Sequence, residues 1–99
     1  MVQLSDPALW DRVNAIDLSM VAHRLSRKLG WTADQCDRAI GDYRAFLYAA
    51  STFDGPVTPT PEIDEAWHAH ILHTKAYAEA CFAIFGGYLH HQPFGEDET

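Results

Sequence analysis

A chain of 99 residues, 47% of them hydrophobic, has the length of one domain and enough apolar mass for a core. Its formal charge of -7 repels phosphate backbones and argues against nucleic acid as a partner. No apolar run approaches the ~18 residues of a membrane span, and two cysteines are too few for the disulfide framework of a small secreted protein. No charged n-region with an apolar run behind it precedes the first predicted helix, so reduced thiols and a cytoplasmic location are expected.

Asp6 and Pro7 read as the N-cap and first residue of a short helix reaching about Asn14, with Leu9, Trp10 and Val13 at helical spacing. Asp17 or Ser19 can cap a second helix, which runs through Met20, Val21 and Leu25 to Gly30, a residue suited to a left-handed helix end. Arg24, Arg27 and Lys28 then form a solvated face that complements the helix dipole. Thr32 and Gln35 match a capping box, with Trp31 as a hydrophobic staple, so a third helix begins near Ala33. Its stripe of Cys36, Ile40, Tyr43, Leu47 and Ala50 faces a core, which makes Cys36 a packing residue.

From Ser51 to Pro61, three prolines and a glycine predict the main loop, ending on Thr58 with Pro59 or Thr60 with Pro61 as the start of a fourth helix. Glu62 and Glu65 in its first turn complement the dipole. Asp64 and His68 stand ~40° apart around a helix and share a face, whereas His70 lies ~160° from His68 and sides with Trp67 and His73. Thr74 is expected to cap the last helix, with Tyr77, Cys81, Ile84 and Phe85 inward and Gly86 and Gly87 at its end. His90 and His91 follow in a segment expected to be ordered, with one of the two facing the domain, and residues 95–99 are expected to fray.

Five of the six histidines therefore fall between Glu62 and Phe94, together with Asp64, Glu65, Trp67 and Cys81. The run from Met20 to Phe94 resembles the glycine-rich domain-containing protein-like family. The resemblance is carried by RLSRKLGW, YRAFLYAA, VTPTPEIDEAWHAHIL, the spaced Tyr77 and Cys81, and FGGYLHHQPF. The family pattern falls on Asp64, Trp67, His68, His70, Tyr77, Cys81, Gly86, Leu89, His90, His91 and Pro93. It implies a fold more than an activity, and this chain lacks the glycine-rich tail of the larger members.

Two functional readings stand open. In one, the His and Asp cluster is a buried polar network or structural site, and the domain is a small soluble interaction module with a protein partner. In the other, a divalent ion such as zinc is bound by His68, by His90 or His91, and by Asp64 or Cys81, with Trp67, His70 and Tyr77 lining the site. An enzyme without metal is a third class, in which Asp64 orients a histidine base and Cys81 is the one candidate nucleophile. The architecture expected is a single all-α domain of four main helices after a short first one. Its core is expected at Leu25, Ile40, Tyr43, Leu47, Trp67, Ile71, Tyr77, Cys81 and Phe85, without strands.

Overall fold

The structure, a computed structural model, describes residues 6–53, 57–87 and 89. Five helices follow one another: α1 (Pro7–Asn14), α2 (Ser19–Leu29), α3 (Ala33–Thr52), α4 (Pro61–Leu72) and α5 (Thr74–Phe85). Among the described residues there is no strand, and the fold is all-α. The His-His segment expected to be ordered lies outside the described residues.

The helix ends follow local chemistry. The Asp6 carboxylate accepts from the Leu9 N–H at 3.1 Å, with Pro7 at the first position. Thr32 and Gln35 close a reciprocal capping box, at 3.1 Å to the Gln35 N–H and 2.7 Å to the Thr32 N–H. Thr60, rather than Thr58, caps α4 by accepting from Ile63 at 3.2 Å. Gly30 and Gly86 end α2 and α5 at φ 69 and 70, where any other residue would be strained.

Three boundaries differ from the sequence expectation. Leu18 stands at the N-cap of α2, and the capping oxygen comes from Asp17, which accepts from the Ser19 N–H at 3.0 Å. The helix α3 continues through Thr52, with the Ser51 and Thr52 hydroxyls donating to the Tyr48 carbonyl, and ends where Phe53 turns to extended backbone at φ -84 and ψ 142. Thr74 is the first helical residue of α5 and supplies no cap, since His73, at φ -94 and ψ 75, already breaks the chain direction.

α4 is the central element, packed on α2, α3 and α5, while α1 closes against α3 and α5. Of the expected core, Leu25, Tyr43, Leu47, Trp67, Tyr77 and Cys81 are buried, and Ile40, Ile71 and Phe85 are half-buried against it. Arg44 reaches back from α3 and donates to the Val13 and Ile16 carbonyls at 2.8 and 3.1 Å. It thereby gives the Val13 carbonyl, which also accepts from the Ile16 N–H at 3.3 Å, a second donor, and pins the turn into α2. Burial lowers the Arg44 pKa, and Asp17 nearby opposes that shift.

Candidate functional site

On α4 the inward side chains are Ala66, Trp67, Ala69 and His70. The two alanines let neighbouring helices come close, and this brings His70 into full burial at 1% exposure. Its Nδ1 lies 2.7 Å from the Tyr43 hydroxyl of α3, and its ring meets the rings of Tyr43 and Tyr77 edge-on at 5.6 and 5.1 Å. Phe46 continues the cage, stacked on Tyr43 at 6.5 Å and tilted on Trp67 at 4.8 Å.

A second polar chain runs beside the first. The Trp67 indole N–H donates to the Tyr77 hydroxyl at 2.9 Å, and the Tyr77 O–H donates onward to the Leu89 carbonyl. Tyr77 thus accepts from α4 and donates to the segment beyond Gly87, while Tyr43 and His70 join α3 to α4. Two further pieces of chain, α3 and the segment at Leu89, are thus tied to α4 and α5 by side chains that the apolar interior would penalise if left unpaired.

One atom in this cage has no partner: His70 Nε2 is buried and unsatisfied. If Tyr43 donates to Nδ1, the neutral ring carries its proton on Nε2; if Nδ1 donates, Nε2 offers a lone pair. Burial, with a smaller repulsion from His73, holds the His70 pKa down to about 4, so the ring is neutral at pH 7. Burial, with smaller contributions from Tyr77 and Cys81, pushes the Tyr43 pKa up and keeps its hydroxyl protonated.

The residues suggested by sequence divide into separate places. His68 is exposed on the far side of α4, Asp64 is half-buried one turn earlier, and Cys81 is buried at 1% exposure on α5. Among the described residues no three of His, Cys, Asp and Glu gather as a metal ion requires. His90 and His91 lie outside the described residues. Trp67, His70 and Tyr77, expected only to line the site, hold the described polar contacts. His73 is half-buried, and its Nδ1 donates to the Ala69 carbonyl at 3.0 Å.

Periodicity put His70 with Trp67 but did not single out Tyr43 as its polar partner. The available signal was that a tyrosine on a core stripe must find a partner for its hydroxyl, as must a histidine on the tryptophan face.

The fold and this cage define a small five-helix domain with an aromatic cluster built around a neutral histidine. Its sequence matches the profile of the UCP032817-like family over residues 14–96, and the chain belongs to that family. This corrects the resemblance drawn from the motifs, because residues 20–94, which carried the likeness to glycine-rich domain-containing proteins, fall wholly inside the matched span. Comparison with curated proteins and with solved structures finds no match.

Proposed function

We propose that this chain is a small helical interaction module, in a reducing compartment, whose buried histidine and aromatic residues fasten the fold rather than perform chemistry. One observation carries the reading: Tyr43, Trp67, His70 and Tyr77 direct polar groups to one another and to the Leu89 carbonyl, and among the described residues only His70 Nε2 is buried without a partner. A network of this kind fixes one packing arrangement against its alternatives. The two free and buried thiols, Cys36 and Cys81, support the compartment.

A second reading, a divalent-metal site, is favoured by a different observation. Asp64 and His68 occupy successive turns of α4, and the Tyr77 bond holds Leu89, the neighbour of His90, at the bundle. The donors would be His68, Asp64 and one of His90 and His91, with Cys81 kept apart by its burial on α5.

Metal content and zinc-dependent melting of the parent, His68→Ala, Asp64→Asn and His70→Ala separate the two. The module reading expects no stoichiometric metal, no rise in melting temperature with zinc, and a lowered melting temperature for His70→Ala alone. Stoichiometric zinc in the parent, lost in His68→Ala and weakened in Asp64→Asn, would replace the module reading with the metal one.

A further inference from the structure

The hydrogen bonds that fasten the cage also decide where an electron is lost when the protein meets an oxidant. Tyrosine and tryptophan are the readily oxidised rings here, and a phenol gives up its electron far more easily when its proton leaves too. What matters for each ring is therefore the group that receives its proton. The Trp67 N–H is spent on the Tyr77 hydroxyl, and the Tyr77 O–H on the Leu89 carbonyl. A hydroxyl and a carbonyl accept a hydrogen bond but do not take the proton. Tyr43 differs, because its hydroxyl lies 2.7 Å from His70 Nδ1, and an imidazole nitrogen is a base.

Tyr43 is the donor in this pair. Were Nδ1 to carry the proton, the Tyr43 O–H and the Nε2 lone pair would both lack a partner among the described residues, whereas donation from Tyr43 leaves the Nε2–H alone. Burial weakens the imidazole to a pKa of about 4, yet it stays far more basic than a carbonyl oxygen. Tyr43 is sealed from solvent, so no oxidant touches it directly, while Trp67 keeps 7% of its surface exposed. Phe46 bridges the two rings, 4.8 Å from Trp67 and 6.5 Å from Tyr43.

We infer that Tyr43 and His70 form an oxidation site in which a one-electron oxidant, a radical of the peroxide-derived class, acts through Trp67. The oxidant removes one electron from Trp67. Tyr43 returns that electron to the indole as its phenolic proton moves to His70 Nδ1, so one O–H bond breaks and one N–H bond forms. The products are the reduced oxidant, neutral Trp67, a neutral phenoxyl radical at Tyr43 and an imidazolium at His70. The step needs neither a metal nor a protein partner, and it goes beyond the module reading.

The test is flash photo-oxidation of the full chain with ruthenium tris(bipyridine) and persulfate, followed by transient absorption and electron paramagnetic resonance. In the parent, a tryptophan radical cation is expected to decay into a tyrosyl radical, more slowly in heavy water because a proton moves with the electron. Trp67→Phe is expected to lower the tyrosyl yield at least threefold. Tyr43→Phe is expected to abolish that radical, and so is His70→Gln, which keeps a hydrogen-bonding group but no base. Tyr48→Phe and Tyr77→Phe are expected to retain it. A measurement on the parent alone decides the case even where a variant fails to fold: with isotopically labelled histidine, the radical is expected to show hyperfine coupling to a histidine nitrogen, which a purely structural role for His70 would not produce. A hole that stays on tryptophan, a tyrosyl radical that survives Tyr43→Phe, full yield in His70→Gln, or no coupling to histidine would each overturn the inference.

Discussion

A neutral imidazole sealed among aromatic rings ties stability to pH in one direction. In the folded chain the His70 pKa is about 4, and in the unfolded chain it returns to ~6.5. Between these values the unfolded state binds more protons, so stability falls as the pH is lowered. The contribution is intact above the unfolded pKa and lost by the time the pH has passed below the folded one. A difference of this size corresponds to about 3 kcal/mol. Urea unfolding near neutral pH and near pH 4.5 should therefore show a loss in the parent that exceeds the loss in His70→Gln by about 2 kcal/mol. Equal losses would assign the acid sensitivity to other groups. The partner residue gives a second check, because Tyr43→Phe strands Nδ1 inside the cage, where Nε2 is already unsatisfied. That substitution is expected to cost about 1–3 kcal/mol at neutral pH, and a cost near zero would mean that the Tyr43 bond contributes nothing to the fold.

Among the helices, what the sequence made legible was the starts of α1, α3 and α4, because their caps are written within three or four residues. Asp6 with Pro7, Thr32 with Gln35 and Thr60 with Pro61 all act as their spacing predicts. The interior contacts were less legible. Periodicity separated the Asp64 and His68 face of α4 from the Trp67 and His70 face and put Trp67 in the core, but it did not show that His70 would be sealed there beside Tyr43. The inward face is marked by Ala66 and Ala69, and small residues that permit close approach carry almost no hydrophobic signal. Arg44 was illegible for a related reason, since its acceptors, Val13 and Ile16, lie on another element about thirty positions earlier. Replacing it by methionine keeps the aliphatic stem and removes both charge-assisted bonds, for an expected loss of about 1.5–3 kcal/mol by chemical denaturation. Tyr77→Phe acts on the joint between α4, α5 and Leu89 by removing two bonds at once. It is expected to destabilise the chain by about 1–3 kcal/mol, and a variant as stable as the parent would show that this joint does not fasten the bundle.

For the molecule as a whole, the two thiols report on cooperative opening from opposite sides of α4. Cys36, at 4% exposure, sits where α3 meets α2, with its sulfur 3.7 Å from the Ala22 carbonyl, and Cys81, at 1%, lies on α5 beneath the aromatic cage. Neither reaches solvent without separation of helices that the central α4 holds together, so a thiol reagent should read the population of open states rather than the chemistry of either sulfur. Both are expected to react slowly in the native protein and at rates that rise together as denaturant is added, with no change on treatment with a chelator. If the protein carries an ion whose loss loosens the bundle, chelation alone should accelerate Cys81, since removing a ligand that prefers the folded state raises the open population. Fast modification of Cys81 in untreated protein, with Cys36 still protected and the chelator without effect, would contradict both versions. It would show that α5 leaves the bundle independently of the other helices, which a network joining Trp67, Tyr77 and Leu89 is built to prevent.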